Sequence, residues 1–139
     1  MTVLAALDER GGMMFNGRRQ SQDKLLRQRI VDMTQGSCLR MNAYTFKQFT
    51  GMDAAQIQVS EDFLQTAGEN DFCLVENVSA APYADKIQRL ILFFWNRDYP
   101  NDFRFDIDWT APPWKKMETV DFPGFSHEKI TQEVYIREQ

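Results

Sequence analysis

The distribution of apolar residues predicts that buried strands alternate with helices along the first two thirds of the chain. Continuous apolar runs, which are typical of buried strands, occupy residues 2–7, 72–75 and 90–95, and a short strand is expected over residues 38–41. Apolar residues recur at helical spacing over residues 23–33, and we expect Ser21 to cap this helix and Gly36 to end it. Shorter helices are expected over residues 44–49, 60–68 and 79–86, a brief extended piece at 57–59, and a loop from Asp8 to Gly17.

The last third of the chain has a different pattern. Phe103, Phe105 and Ile107 alternate with charged residues, which predicts a half-buried strand. After the break at Pro112-Pro113, two further strands are expected over residues 114–120 and 131–137. Together these elements predict an α/β fold with a mixed, mostly parallel sheet flanked by helices and late antiparallel strands. We expect residues 1–139 to form a single domain.

Composition narrows the class of protein. The apolar fraction of 43% and the aromatic fraction of 13% argue against disorder, and a net charge of −4 disfavours nucleic-acid binding. The longest apolar run, residues 90–95, is far shorter than the ~20 residues of a membrane span. The chain start lacks the basic region of a signal peptide, and two cysteines are too few for a disulfide scaffold. These features favour a soluble cytoplasmic protein without membrane contact.

Metal and nucleophilic chemistry find little support in the sequence. The chain has a single histidine, His127, and two distant cysteines, so we expect no metal site. A Ser-His-Asp site would have to use His127, which lies in a polar turn. We therefore expect His127 to be a solvated loop residue.

Six stretches of the chain follow one another in a characteristic order. They are TVLAALDERGGMMFNGRRQSQDKLLRQRI, RMNAYTF, SEDFLQTAGENDFCLVEN, APYADKIQRLIL, FRFDIDWTAPPWKKM and ITQEVYIRE. In this order, over nearly the whole chain, they resemble the dihydrofolate reductase family. The resemblance implies that family's fold, and it places Asp23 at the family's catalytic carboxylate beside an NADPH site.

The same comparison shows departures at the cofactor side. Arg18-Arg19-Gln20 replace a proline-tryptophan pair, and Asn42-Ala43 replace a glycine and a basic residue before Thr45. Glu76-Asn77 stand for the paired glycines that admit the cofactor's pyrophosphate. The segment between Phe49 and Ser60 leaves no room for the family's next strand and its adenosine-phosphate contacts. We therefore expect that NADPH binding is lost and that the protein uses no cofactor.

A second resemblance concerns the start of the chain. The stretch LDERGGMMFNGRRQSQD is similar to that of short bacterial proteins carrying a ribonuclease Z label. That enzyme uses a histidine-rich dizinc motif, which a single histidine cannot supply. The residues do not support the label.

Three groups of residues are candidates for a site, each with a purely structural alternative. Arg18 and Arg19 are candidate anion ligands near a helix N-terminus, whereas Arg27 also fits a solvated helix face. Asp23 is the candidate catalytic residue or, alternatively, a capping acid, and we expect Arg27 at i+4 to pair with it. A polar pocket, or a set of ordinary strand-end caps, is expected at the ends of two strands from Asn42, Tyr44, Thr45, Glu76 and Asn77.

These observations leave several functions open. The first is a dihydrofolate reductase-like protein without NADPH that binds a small anionic or heterocyclic ligand or a protein partner, a second copy of the chain included. The alternative is an enzyme that uses Asp23 as general acid or base on a heterocyclic substrate without nicotinamide. An RNA-processing role is the least favoured.

Overall fold

The computed structural model describes residues 1–138. It contains ten strands and two α-helices, α1 (Lys24–Met33) and α2 (Ala43–Phe46), with 3₁₀ helices at Lys47–Phe49 and Ala81–Lys86 in the described part. The strands are β1 (Thr2–Leu7), β2 (Gly12–Phe15), β3 (Arg18–Arg19), β4 (Leu39–Met41), β5 (Ile57–Val59), β6 (Phe72–Leu74), β7 (Arg89–Phe94), β8 (Phe103–Arg104), β9 (Trp114–Phe122) and β10 (Ile130–Arg137).

Seven of these strands form the main sheet in the order β5-β4-β6-β1-β7-β10-β9. The strands from β5 to β7 run parallel, whereas β10 is antiparallel to both β7 and β9. The predicted α/β fold, with a mostly parallel sheet and late antiparallel strands, is confirmed. Since β1 lies in the middle of the sheet, both of its faces are buried, which explains its unbroken apolar run.

Two apolar cores cover the two faces of the sheet. Val3, Ala5 and Leu7 of β1 contribute to one core, and Leu4 contributes to the other together with Leu26 of α1. None of the helices within residues 1–138 has the length and apolar character needed to cross a membrane.

Several local predictions were wrong. The segment from Asp8 to Gly17 is not a loop: β2 and β3 form a hairpin whose turn, Asn16-Gly17, has φ values of 53° and 75°. Positive φ at both central residues is the geometry of the tight turn that suits twisted antiparallel strands. The hairpin pairs with β8 through β2. Of the half-buried strand predicted from Phe103, Phe105 and Ile107, only Phe103–Arg104 forms a strand in this sheet.

Two predictions around the sheet edge were also wrong. Residues 60–68 form turns rather than a helix, because few apolar residues besides Phe63 and Leu64 offer a face that could stabilise so short a helix. The segment between Phe49 and Ser60 was expected to leave no room for a further strand. The extended piece predicted at residues 57–59 is, however, the strand β5, which pairs in parallel with β4 at the edge of the sheet.

Candidate functional site

The most densely bonded polar group near the sheet is the carboxylate of Asp23, which is 2% exposed and caps α1. Its Oδ1 accepts hydrogen bonds from the N–H groups of Leu25 (2.9 Å), Leu26 (3.1 Å) and Phe125 (3.0 Å). Its Oδ2 accepts from the N–H of Ser126 at 2.9 Å and from the hydroxyl of Ser126 at 3.1 Å. Asp23 thus joins the start of α1 to the connection between β9 and β10.

The second partner of this carboxylate is His127. The Nδ1 atom of His127 lies 2.9 Å from Oδ2 of Asp23, and Nε2 lies 2.9 Å from Oγ of Ser21. The imidazole is 4% exposed and stacks on the indole of Trp95. The expectation of a solvated loop histidine was therefore wrong. Ser21 was also wrongly expected to cap α1, because its hydroxyl bonds to His127 instead.

These hydrogen bonds determine the ionisation of Asp23. Burial by itself raises the pKa of the carboxyl, but hydrogen bonds from Phe125 N–H, His127 and the Ser126 and Leu26 N–H groups together hold the pKa well below its ordinary value. The predicted ion pair with Arg27 does not form. Instead, Nη1 of Arg27 donates to Oε1 of Gln22 at 3.3 Å.

A second polar cluster joins Arg19 of β3, Tyr44 of α2 and Glu76, which lies just after β6. The guanidinium of Arg19 donates to both carboxylate oxygens of Glu76, with Nε–Oε2 at 3.0 Å and Nη2–Oε1 at 3.2 Å. It also lies over the ring of Tyr44, 4.5 Å from the centroid. The Tyr44 hydroxyl accepts the N–H of Arg19 at 2.8 Å. The sequence-predicted residues Arg19, Tyr44 and Glu76 are therefore in contact.

Asn42 and Asn77 join the ends of β4 and β6 directly. Nδ2 of Asn42 donates to Oδ1 of Asn77 at 2.8 Å, and Oδ1 of Asn42 caps α2 by accepting the N–H of Thr45 at 3.0 Å. The hydroxyl oxygen of Thr45 is buried and has no hydrogen-bond partner within residues 1–138. This pair thus combines the predicted strand-end cap with a link between two strands.

Two cavities border these clusters. A narrow cavity of about 20 Å³ lies against Asp23 and contains Ser21 and Arg27 in its wall, with Trp95 on its apolar side. A larger cavity of about 300 Å³ is lined by Arg18 and Arg19 together with Phe15, Asn16, Gln20, Tyr99 and Pro100. Within residues 1–138 the guanidinium of Arg18 makes no ion pair, whereas that of Arg19 is neutralised by Glu76.

Another carboxylate, that of Asp106, occupies the start of the 3₁₀ helix that follows β6. Oδ1 of Asp106 accepts the N–H groups of Ala80 and Ala81, each at 3.0 Å, and the hydroxyl of Ser79 donates to Oδ2. The backbone donors at this helix start are thus bonded to a negative group of the chain itself. Residues 1–138 contain no group of three or more acidic, histidine or cysteine side chains that could hold a metal ion.

Sequence reasoning did not identify Ser21, Ser126 and His127 as neighbours of Asp23. One local signal is Gly124, because a Cβ atom there would lie 2.7 Å from Oδ2 of Asp23 and 2.9 Å from the carbonyl oxygen of His127. A glycine is needed where the backbone passes so close to a carboxylate. That requirement becomes visible only when the fold brings residues 23 and 124 together.

Comparisons with known proteins support the fold. No protein-family model matches the chain, and no curated protein is significantly similar in sequence. Among solved structures, it is similar to a dihydrofolate reductase from Enterococcus faecalis complexed with NADP(H) and RAB-propyl. The match covers 100% of this chain and 97% of that one at 16% sequence identity, with a TM-score of 0.67. The chain therefore has a dihydrofolate reductase-like α/β fold.

Proposed function

We propose that this protein is a dihydrofolate reductase-like binding protein that has lost the NADPH site and holds a small anionic or heterocyclic ligand without a cofactor. The observation that carries the proposal is the pair of carboxylates at the carboxyl end of β6. Glu76 stands where the family resemblance implies a pyrophosphate seat, and Asp106 takes the backbone donors of the following 3₁₀ helix. The residues present do not fit a dinucleotide pyrophosphate.

Electrostatics supports this proposal. A pyrophosphate at this position would lie beside the carboxylate of Glu76, which Arg19 already pairs, and would have to displace Asp106 from two N–H donors. The hydrogen bonds that Asp106 would lose in this displacement are charge-assisted, and each such loss costs roughly 1.5–3 kcal/mol. Two losses weaken dinucleotide binding on the order of 100-fold or more. The 3₁₀ helix also lacks the length that gives a helix N-terminus its anion affinity.

The cavity beside Arg18 is the better candidate for a ligand. Its volume of about 300 Å³ is close to the lower end of the sizes typical of small-molecule pockets. Arg18 supplies a free positive charge there, and the aromatic rings of Phe15 and Tyr99 offer contact area to a flat ring. These features favour an anionic heterocycle.

The alternative, an enzyme that uses Asp23 as a general acid or base, has a specific contact in its favour. Asp23 borders the narrow cavity, which admits about one water-sized group, so the carboxylate would reach only the edge of a bound heterocycle. The lowered pKa of Asp23 keeps the carboxyl ionised at neutral pH, which leaves this alternative with the role of a base and makes that base a weak one.

Calorimetric titration with folate, a purine nucleoside monophosphate and inorganic pyrophosphate tests the proposal. We expect saturable binding of an anionic heterocycle that is lost in Arg18→Gln and kept in the control Arg97→Gln, an exposed arginine outside the cavity. Absence of binding by all three compounds would contradict a ligand site at Arg18. Tight self-association, measured by sedimentation, would instead favour a second copy of the chain as the partner.

A further inference from the structure

Ser21, His127 and Asp23 form a continuous chain of hydrogen bonds from hydroxyl to imidazole to carboxylate. The two links, Oγ to Nε2 and Nδ1 to Oδ2, are each 2.9 Å long. The order of groups matches the arrangement in which a serine is activated by a histidine that a carboxylate orients. The three residues come from two parts of the chain, the segment before α1 and the β9–β10 connection.

The surroundings fix the tautomer and the orientation of the imidazole. Because the Asp23 carboxylate is ionised and accepts at Oδ2, Nδ1 of His127 carries the proton, which leaves the lone pair on Nε2 for the hydroxyl of Ser21. Stacking on Trp95, with 4.5 Å between ring centroids and 25° between planes, restricts rotation of the ring. The Tyr99 hydroxyl lies 3.3 Å from Nε2, so it can accept a hydrogen bond once that nitrogen is protonated.

The nucleophile side of this arrangement faces a cavity. Ser21 is only half-buried, unlike the other two residues, and it lines the narrow cavity of about 20 Å³. Arg27 and Gln48 line the same cavity and are the donors available to a negative oxygen there, and Glu76, which also lines it, is paired with Arg19. This cavity admits about one water-sized group, so only the carbonyl oxygen of a small ester would enter it, with the remainder of the molecule outside.

We propose that Ser21, His127 and Asp23 form a nucleophile, base and orienting carboxylate that transfer the acyl group of a small ester. Oγ of Ser21 attacks the carbonyl carbon while Nε2 of His127 takes the hydroxyl proton. The bond from the carbonyl carbon to the leaving oxygen then breaks, and the alcohol departs with that proton. Water, deprotonated by Nε2, then attacks the carbonyl carbon of the acyl-serine. The bond from that carbon to Oγ breaks, Oγ takes the proton back from Nε2, and the acyl group leaves as the carboxylic acid. This activity is independent of the ligand proposed for the cavity beside Arg18.

A purely structural clamp between α1 and the β9–β10 connection would show the same hydrogen bonds, so the test must measure reactivity. The full chain is treated with a fluorophosphonate, followed by intact-mass and peptide analysis, and its hydrolysis of 4-nitrophenyl acetate is measured. We expect stoichiometric labelling at Ser21, no labelling in Ser21→Ala, and wild-type labelling in Ser37→Ala, a serine in the turn after α1. His127→Gln is expected to lower the labelling rate at least ~100-fold.

A further variant covers the case in which His127→Gln does not fold. In Ser21→Cys, a base at Nε2 lowers the pKa of the introduced thiol, so iodoacetamide reacts with it faster at slightly acidic pH than with Cys38. Labelling of folded wild-type protein at other serines only, or none, would overturn the proposal. An introduced thiol no more reactive than Cys38 would overturn it as well.

Discussion

The imidazole of His127 stacks on the indole of Trp95, with 4.5 Å between the ring centroids, although the two residues are far apart in the sequence. Trp95 follows β7, and its N–H donates to the carbonyl oxygen of Leu7 at the end of β1. His127 reaches it from the β9–β10 connection. The contact therefore places a titratable side chain at the carboxyl ends of the central parallel strands, where ligands bind in open α/β sheets.

Replacing Asp23 should change the acid stability of the protein. Because the folded pKa of Asp23 lies below the usual value of 3.8, the unfolded chain binds this proton more tightly. The ionised Asp23 carboxylate therefore contributes fully to the free energy of unfolding at pH values above the pKa that Asp23 has in the unfolded chain. This contribution is lost as the pH falls through the pKa that Asp23 has in the folded protein. Asp23→Asn should lose about 2 kcal/mol at neutral pH, since hydrogen bonds to a charged group contribute roughly 1.5–3 kcal/mol.

Urea unfolding of both proteins between neutral pH and pH 2 measures this effect. The free energy difference between wild type and Asp23→Asn should shrink as the pH falls below 4. Asp53→Asn, at an exposed position, is the control and should follow the wild type at every pH. A constant difference over the whole range would mean that the Asp23 carboxylate is not stabilised by its hydrogen bonds.

Gly124 should tolerate no side chain. In Gly124→Ala the new Cβ would lie 2.7 Å from Oδ2 of Asp23 and 2.9 Å from backbone, so the connection must shift. Overpacking of this kind costs about 1–3 kcal/mol. In the control Gly68→Ala, the nearest atom, Oδ2 of Asp71, is 3.6 Å away, an ordinary contact. Thermal unfolding of the two variants checks the difference, and equal stabilities would contradict the close approach of Gly124 to Asp23.

The two cysteines should differ in reactivity. Burial raises the pKa of Cys73 to about 12, and its side chain is fully buried in the core. Cys38 is also free but partly accessible. In folded protein, iodoacetamide should modify Cys38 first and Cys73 only on unfolding, whereas both should react at similar rates in denaturant. Mass spectrometry without reductant follows each site, and a disulfide-linked species would contradict the prediction.

The ion pair between Arg19 and Glu76 should contribute measurably to stability. It is bidentate and mostly shielded, with side-chain exposures of 20% and 14%. A double-mutant cycle with Arg19→Gln and Glu76→Gln should give a coupling free energy of about 1–2 kcal/mol. Arg18→Gln, next along the chain but exposed, should change stability by less than about 0.5 kcal/mol. A coupling near zero would show that the pair is not formed in solution.

The sequence allowed the main strands to be predicted because their patterns are local. The apolar runs of β1 and β7 arise because these strands are buried on both faces, and the helical spacing in α1 arises because one face of that helix is buried.

The bonding around Asp23 could not be predicted in this way. Asp23 and His127 are 104 positions apart, and nothing in the polar turn around His127 differs from a solvated loop. Arg27, at position i+4, was the local partner expected for Asp23, but the carboxylate accepts hydrogen bonds from the N–H groups of Phe125 and Ser126 instead. Contacts between distant loops depend on how the sheet aligns their ends, and no local periodicity records that alignment.

Whether the carboxyl end of β6 seats a dinucleotide is tested most directly by titrating ¹⁵N-labelled protein with NADPH and following the amide chemical shifts. We expect no saturable shift for Glu76, Asn77, Ala80 or Ala81, because Arg19 pairs Glu76 and Asp106 accepts the N–H groups of Ala80 and Ala81. Saturable shifts of these amides with a dissociation constant in the low micromolar range would contradict this expectation.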